Sequence, residues 1–497
     1  MMADTAVLKA QVMRGVAWAS GTRIVGQMLN WVITLAVVRF LVPSDYGLMA
    51  ITMAVTGFLA AMSYVGFSDV LVQSRDADAA AGEAFGLILL ANLAFLVILF
   101  ASAPAIAGFY HDPRLTPLLR VVSFSFVLLA AASLSRAKLE RELALKQMSA
   151  VDIGSNLAGG LTTILLAWRG FGVWALLDGY MLAETVRTIG FLILAPTRHW
   201  PALPSRRQSG LMRLGSYRTA ENVLWYFGTQ IDILVAGRML GSGALGIYSL
   251  ARTLASMPID KLAMVVKPVG LPAFARLQDD VDQALVYLGK SMRVLALLSF
   301  PIFFGLSAVA HEMVPVLLGA RWSGVATPLS ILALAMMARP TGLFLSPFLL
   351  GLGRFRASLV NTIVSTLLFA VAYVTGAHWG LYGVCIGGAV AYPLQFLFLV
   401  KRISVVRRGC FWLLLRPLLR PALAALLMYA VVRAVSWGLP LSFSAPVRLG
   451  VLIGTGVVVY PASAYLICRD IVEEVISMLG LDRCHRRILR PAGLAGE

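Results

Sequence analysis

Long apolar stretches alternate with short charged, glycine- or proline-containing connections along most of the chain. Each stretch has about the 20 residues that an α-helix needs to cross the hydrocarbon core of a bilayer. The pattern therefore predicts fourteen transmembrane helices, at approximately 19–41, 46–66, 84–103, 118–135, 151–168, 172–195, 217–237, 243–265, 294–311, 324–350, 357–377, 380–400, 417–436 and 447–467. The seventh and eighth are polar enough for a hydropathy window alone to miss them.

An internal repeat groups the predicted helices into two lobes. Residues 34–48 (TLAVVRFLVPSDYGL) and 233–247 (ILVAGRMLGSGALGI) each cover the end of one helix, a tight turn and the start of the next. At a constant offset of 199 positions, the identical pairs include Arg39 with Arg238, Leu41 with Leu240 and Gly47 with Gly246. The repeat predicts two parallel six-helix lobes followed by two C-terminal helices, and duplicated bundles of this kind are common in transporters.

The predicted fold class is an all-α polytopic membrane protein with a defined order of segments. These are an N-lobe at 1–195, a cytoplasmic linker at 196–216, a C-lobe at 217–400, two further helices at 401–467 and a cytoplasmic amphipathic tail at 468–497. Placing the N-terminus in the cytoplasm puts most Lys and Arg residues into cytoplasmic segments, as the positive-inside rule requires. Both termini are therefore predicted to be cytoplasmic.

The amino-acid composition indicates a membrane protein, and the predicted topology accounts for its positive charge. Of the 497 residues, 59% are hydrophobic and 13% are charged, whereas soluble domains are roughly 45–50% apolar and 25% charged. The formal net charge of +18 follows from the cytoplasmic Lys and Arg residues, so it does not predict nucleic-acid binding. The segments 136–149 and 469–490 are predicted to be amphipathic helices on the inner leaflet, where anionic lipids attract their basic residues.

Polar residues inside the predicted helices are the candidate binding residues. An ionisable group in hydrocarbon costs roughly 3 kcal/mol or more, so it usually faces a cavity or a partner. In the first, seventh and eighth helices such residues recur every three or four positions, which places them on one face. The candidate substrate-binding residues are Arg23, Gln27, Asn30, Glu221, Tyr226, Asp232, Arg252 and Arg339. If these faces converge, they line a polar cavity in which guanidinium groups could bind a diphosphate bidentately.

Structural pairing is the alternative for these charged residues. Arg23 and Arg252 could each pair with a carboxylate and hold two helices together. Glu221 and Asp232 fit structural pairing as well as they fit cavity lining. The two interpretations stay open from the residues alone.

Four other charged residues favour structural roles. Glu184 and Arg187 are three positions apart in the sixth helix, a spacing that predicts an intrahelical ion pair. Arg39 and Arg238 lie at the two repeat turns and are interpreted as anchors at the outer membrane interface.

Motifs for nucleotide, metal or redox chemistry are absent from the sequence. It contains no Walker-type GxxxxGK[ST], no HExxH and no paired CxxC motif, and its five histidines are scattered. We therefore predict no metal site, no cofactor and no enzymatic activity. Without a nucleotide site, uphill transport would draw on an ion gradient or on consumption of the product.

Four segments carry a resemblance to a known family. They are RGVAW at 14–18, VVRFLVPSDYGLMAI at 37–51, TQIDILVAGRMLGSGALGIYSLARTLASMP at 229–258 and KPVGLPAFARLQDD at 267–280. Together they resemble bacterial polysaccharide flippases of the multidrug/oligosaccharidyl-lipid/polysaccharide superfamily. The similarity covers nearly the whole chain and extends to flippases of xanthan repeat units.

The resemblance implies a function as well as a fold. Such flippases are two-lobed helical bundles of the bacterial inner membrane, and they move a lipid-diphosphate-linked oligosaccharide to the outer leaflet by alternating access. Related lipid II flippases use arginines in helices one and eight, which Arg23 and Arg252 match by helix. The xanthan resemblance implies an undecaprenyl-diphosphate-linked pentasaccharide with acidic sugars as the cargo. Polysaccharide polymerase and export machinery are implied as further partners.

Two other function classes remain open at the sequence level. A multidrug or other lipid exporter could share the fold, but we expect an anionic, aromatic cavity in a multidrug exporter. A membrane polysaccharide polymerase or glycosyltransferase would be an enzyme. Such enzymes usually present a large outer loop or a carboxylate pair near the outer face, and the predicted outer loops at 104–117 and 433–446 are short.

Overall fold

The computed structural model is predominantly α-helical in the residues that it describes. The described residues are 26, 29, 31–64, 77–142, 144–196, 201–202, 209–406, 409–440 and 442–478. Within these ranges, only the backbone is described at 63–64, 77–81, 84, 209–222, 264–265, 267–269, 355, 405–406 and 475–478. No β-strand occurs in these residues. The predicted all-α architecture is confirmed.

The chain forms two compact units, Met1–Ser249 and Leu250–Glu497. The helices that begin in the first unit are α1 (31–38), α2 (Pro43–Tyr64), α3 (Ala77–Tyr110), α4 (Leu115–Ser123), α5 (Ser125–Arg141), α6 (Leu145–Trp168), α7 (Val173–Leu194) and α8 (Ser209–Ala275). The helices of the second unit are α9 (Val281–Leu318), α10 (Ala326–Met336), α11 (Ala338–Thr341), α12 (Leu345–Gly351), α13 (Phe355–Ala377), α14 (Gly380–Val406), α15 (Cys410–Gly438), α16 (Ala445–Ile467) and α17 (Arg469–Met478). Helix α8 continues from the first unit into the second.

Eleven helical stretches among the described residues are long and apolar enough to cross a membrane. Three features account for the difference from the fourteen predicted helices. The seventh and eighth predicted helices together form one candidate span, Val223–Ala263. Helix α7 has 22 residues but carries three charged side chains, which lower its hydropathy. Most of the first predicted helix, 19–41, lies outside the described residues.

A break at Gly241 separates the seventh and eighth predicted helices within α8. Its backbone adopts φ 78° and ψ 172°, a conformation that only glycine reaches without steric cost. Helical residues lie on both sides of the break. The predicted turn between the two helices is therefore present, although it is a single residue wide.

The two repeat turns pack against each other inside the first unit. A Cβ atom on Gly47 would lie 1.8 Å from the carbonyl oxygen of Ser242, and one on Gly246 would lie 1.7 Å from that of Pro43. Pro43 and Ser242 are separated by the same offset as Gly47 and Gly246. The contact is thus reciprocal between equivalent positions, and only residues without a side chain permit this backbone approach.

The predicted amphipathic helix at 136–149 is wrong as a separate element. Helix α5 continues to Arg141, and α6 begins at Leu145. No proline or glycine interrupts 136–141, and the i, i+4 ion pair between Arg136 and Glu140 at 2.9 Å supports the last turns of α5. The predicted tail helix is present as α17, and the rest of that tail lies outside the described residues.

Apolar side chains cover both the interior and the outer surface. In the second unit, Met292, Phe348 and Leu414 are fully buried in one core cluster. On the outside, Trp379 and Trp437 are 76% and 80% exposed. A surface of this kind suits lipid rather than water.

Candidate functional site

An interrupted helix in the second unit positions the first candidate residue. The span Ala320–Gly351 is divided into α10, the four-residue α11, a 3₁₀ turn at Gly342–Phe344 and α12. Pro340 in α11 and Pro347 in α12 lack the N–H that a continuous helix requires. Irregular backbone at membrane depth is tolerated only where it is buried in protein or lines a hydrated cavity.

Arg339 lies at this interruption and stacks on an aromatic ring. Its Cζ atom is 5.1 Å from the centroid of the Tyr392 ring on α14, and the Tyr392 ring meets Phe369 edge-on at 4.9 Å. Within the described residues, Arg339 has no carboxylate partner. Its guanidinium donors are therefore available to an anion, and the ring behind them restricts where that anion can bind.

A polar cavity of about 240 Å³ lies inside the first unit, between α2, α3, α5 and α7. Its charged lining consists of two ion pairs, Arg136 with Glu140 and Arg187 with Glu184. Each pair is neutral in itself, so the described lining of the cavity has no excess of either sign. It suits water or an uncharged polar group rather than an anion.

Arg187 connects two helices through three partners. It pairs with Glu184 on its own helix, which confirms the predicted intrahelical pair. On α6 it lies 3.2 Å from Asp152 and donates a hydrogen bond to Asn156 at 3.1 Å. These contacts make Arg187 a residue that holds α6 against α7.

Asn92 on α3 presents an unsatisfied acceptor beside the same cavity. The side chain is 1% exposed, and its Nδ2 atom donates to the carbonyl oxygen of Ile88 at 2.8 Å. Its Oδ1 atom is buried and has no partner. An orphaned buried acceptor costs about 1–3 kcal/mol, so a bound water or donor group in the cavity would stabilise this position.

Two predicted binding residues make structural contacts in the first unit. The Tyr226 hydroxyl lies 3.2 and 3.3 Å from the carbonyl oxygens of Met53 and Ala54 on α2. Asp232 is 2% exposed and accepts a hydrogen bond of 2.7 Å from the Tyr248 hydroxyl. These contacts join α8 to α2 and brace it across the Gly241 break, so substrate contact by either side chain stays a prediction.

The structure describes only some of the remaining predicted binding residues. Arg252 is half-buried on α8 in the second unit. Arg23, Gln27, Asn30 and the side chain of Glu221 lie outside the described residues. The convergence of the predicted polar faces on one cavity therefore stays a prediction.

A saturated polar cluster lies next to the reciprocal glycine contact. Asp112 accepts hydrogen bonds from the Arg114 side chain at 2.8 and 2.9 Å and from the Ser242 hydroxyl at 3.2 Å. The side-chain hydrogen bond from Arg114 is the main reason why the pKa of Asp112 lies below its ordinary value. Arg238 contacts His111 at 3.0 Å and stacks over Phe109. Its interpretation as an interfacial anchor is compatible with these contacts.

Two residues of these sites were not identified from the sequence. Asn92 could have been, because an amide in an otherwise apolar predicted helix is unusual. Tyr392 gave no comparable signal, since its contact with Arg339 joins helices that are distant along the chain. Among the described residues, no group of three His, Cys, Asp or Glu side chains is placed to hold a metal ion.

The fold is shared with multi-span membrane transporters. A solved lipid II flippase MurJ in an inward closed conformation aligns with a TM-score of 0.76 at 13% identity, covering 91% of this chain and 99% of that one. An inward-facing multidrug resistance transporter of the MATE family, MOP superfamily, aligns with a TM-score of 0.58 at 19% identity, covering 79% of this chain and 99% of that one. The architecture is therefore the one that the solved MurJ and MATE structures share.

Sequence comparison identifies the family of the chain. The family described as "Polysaccharide biosynthesis protein" matches residues 36–327, and the chain belongs to it. The succinoglycan biosynthesis transport protein ExoT of Rhizobium meliloti is 28% identical, over 97% of this chain and 98% of its own length. The lipopolysaccharide biosynthesis protein WzxC of Escherichia coli is 25% identical, over 83% and 82% of the two chains.

Proposed function

We propose that this protein is a flippase that moves a lipid-diphosphate-linked oligosaccharide repeat unit from the cytoplasmic to the outer leaflet of the bacterial inner membrane. The proposed cycle is alternating access between the two lobes, without an enzymatic step. In this proposal the carrier lipid is undecaprenyl diphosphate, and the repeat unit serves exopolysaccharide synthesis. The resemblance to xanthan repeat-unit flippases favours a pentasaccharide with acidic sugars.

The relatives support the class of cargo. One is a transport protein of succinoglycan biosynthesis, another acts in lipopolysaccharide biosynthesis, and the structural relative is a lipid II flippase. Both biosynthetic products are polysaccharide-containing polymers or lipids. A transporter in such a family is best explained as one that carries a lipid-linked sugar intermediate across the membrane.

The single observation that carries the proposal is the environment of Arg339. A guanidinium group in a candidate span, stacked on Tyr392 and without a described carboxylate partner, is suited to an anionic ligand. A diphosphate offers oxygens at the spacing of the guanidinium fork. A cationic drug would instead be repelled by this group, which argues against a multidrug exporter.

The other predicted residues extend the proposed binding site. Arg23 and Arg252 would supply further guanidinium groups from the first and eighth helices. Gln27, Asn30 and Tyr226 would contact sugars, and the carboxylates Glu221 and Asp232 would accept hydrogen bonds from sugar hydroxyls. These roles depend on convergence of the helices on one cavity.

The proposal is tested by locating the cargo in cells that lack the protein. We expect polymer export to stop and lipid-linked repeat units to accumulate facing the cytoplasm. A membrane-impermeant glycosidase applied to intact spheroplasts should then release no repeat unit until the membrane is opened. Release of repeat units from intact spheroplasts of the deletion strain would contradict the proposal.

A further inference from the structure

A cationic groove of about 460 Å³ lies on the second unit, between α9, α15 and α17. Three of its lining residues are arginines, Arg293, Arg416 and Arg420, and its one acidic residue is Asp470. Arg293 and Arg420 approach the Asp470 carboxylate at 3.5 and 3.4 Å. One carboxylate is therefore shared by two guanidinium groups, and the groove keeps an excess of positive charge.

Two of these arginines have unused donors. In the part of the chain that the structure describes, the exposed Arg416 has neither a carboxylate nor an aromatic partner. Arg293 also pairs with Glu474 on α17, but its Nε atom is buried and has no acceptor. An anion with several oxygens in the groove would satisfy the exposed donors of Arg416 and add negative charge beside Arg293.

The groove is bordered by exposed apolar side chains. Trp412 and Leu413 line it and are 70% and 57% exposed. Trp412, Arg416 and Arg420 follow one another every four residues, so they lie on one face of α15. A tryptophan next to arginines at the end of a candidate span is typical of the headgroup region of a bilayer. The groove thus offers charge and apolar contact together, as an amphiphile requires.

We propose that this groove binds the phosphate of an anionic glycerophospholipid. Arg416 and Arg420 contact the phosphate oxygens, while Trp412 and Leu413 pack against the beginning of the acyl chains. The bound phosphate completes the charge balance where α17 docks on α9 and α15, so the lipid fastens the tail helix to the bundle. The site is separate from the proposed cargo site and does not depend on the identity of the cargo.

Native mass spectrometry of the purified full chain tests this site. Protein in micelles is equilibrated with phosphatidylglycerol or with phosphatidylcholine, and retained lipid is counted. We expect phosphatidylglycerol to be retained preferentially, and Arg416→Gln to weaken retention about fivefold, in line with the contribution of one basic residue near an anionic surface. Arg402→Gln is the matched control, because Arg402 does not line the groove; its Cζ atom lies 6.0 Å from the centroid of the Phe398 ring. Lipid retention by this variant should equal that of the unmodified protein.

Two further measurements distinguish a phospholipid from free phosphate and provide a second variant in case Arg416→Gln misfolds. Inorganic phosphate should not displace the lipid, since it lacks the acyl contacts, and Trp412→Ala should weaken retention with all arginines in place. Equal retention of the two lipids, no effect of either substitution, or displacement by inorganic phosphate would overturn the proposal. Preferential retention of a polyprenyl diphosphate would also overturn it, since the groove would then hold cargo rather than a resident phospholipid.

Discussion

Two arginines within predicted transmembrane segments have opposite surroundings: Arg187 lies on the 22-residue α7, and Arg339 lies at the interruption of the span Ala320–Gly351. Arg187 contacts two carboxylates and an amide, so the chain itself neutralises its charge. Arg339 stacks on Tyr392 and has no carboxylate partner among the described residues. We call an arginine saturated when carboxylates neutralise its charge, as they do for Arg187. Such an arginine fastens helices, whereas an arginine without a described carboxylate partner is open to an anionic ligand. From the sequence, the i, i+3 spacing already predicted the pairing of Arg187 with Glu184, whereas the surroundings of Arg339 follow only from the three-dimensional contacts.

The largest expected effect on stability comes from removing the saturated arginine. Arg187→Gln leaves Glu184 and Asp152 without their cation, and breaking a buried pair costs about 3–5 kcal/mol. Because the Arg187 side chain is 23% exposed, we expect about 2 kcal/mol, seen as a lower midpoint of thermal unfolding in detergent. Arg136→Gln is the comparison variant: because the Arg136–Glu140 pair is more exposed than the Arg187 contacts, this substitution should lower the midpoint less than Arg187→Gln does. Equal midpoints for Arg187→Gln and the unmodified protein would contradict the assignment.

The unsaturated arginine should show the reverse behaviour. Arg339→Gln should lower polymer export at least about tenfold at matched expression, because a hydrogen bond to a charged group contributes about 1.5–3 kcal/mol. Its unfolding midpoint should stay close to that of the unmodified protein. Arg433→Gln is the matched control, as Arg433 also stacks on an aromatic ring, that of Trp437 at 5.7 Å. A large loss of stability without a specific loss of export would show that Arg339 is a structural residue like Arg187.

The ring beneath Arg339 gives a smaller, graded effect. Tyr392→Phe keeps the aromatic face and should retain export, whereas Tyr392→Leu removes a cation–π contact of about 0.5–2 kcal/mol. We expect export to fall about threefold to tenfold for the leucine variant. If the phenylalanine variant were equally impaired, the hydroxyl group rather than the ring face would be the functional part of Tyr392.

Arg114 is a third arginine, saturated but 56% exposed, and should show the smallest effect. Because the pKa of Asp112 is lowered by its hydrogen bond from Arg114, the pair stabilises the fold above the ordinary carboxyl pKa of about 4. That stabilisation is lost as the pH falls through the lowered pKa. Asp112→Asn should therefore cost under about 1 kcal/mol at pH 6, and its difference in unfolding midpoint should shrink below pH 4. A difference that grows on acidification would contradict this sign.

Hydropathy predicted most of the fold because a membrane span is defined by length and apolar content. The predicted repeat also located Gly47 and Gly246, although not their mutual contact, which depends on tertiary packing. The predicted helix at 136–149 was wrong, because amphipathic charge spacing is equally compatible with the end of a longer helix such as α5.

The candidate site was less predictable than the fold. Glu184 and Arg187 were paired correctly, since their contact is local on one helix. Arg339 was selected as a charge within a span, but its partner Tyr392 was not, because sequence spacing carries no information on contacts between distant helices. For Asp232, the sequence left both cavity lining and a structural contact open. The structure shows a structural contact, the buried hydrogen bond with Tyr248.

The central claim is tested most directly by translocation of purified lipid-diphosphate-linked oligosaccharide in proteoliposomes. The unmodified protein and Arg433→Gln should move the lipid to the opposite leaflet at equal rates, while Arg339→Gln should be at least about tenfold slower. An otherwise identical lipid without the diphosphate should not be moved by any of the three. Equal rates for Arg339→Gln and Arg433→Gln, or equal transport of the lipid without phosphate, would contradict recognition of the cargo through a guanidinium group inside the membrane.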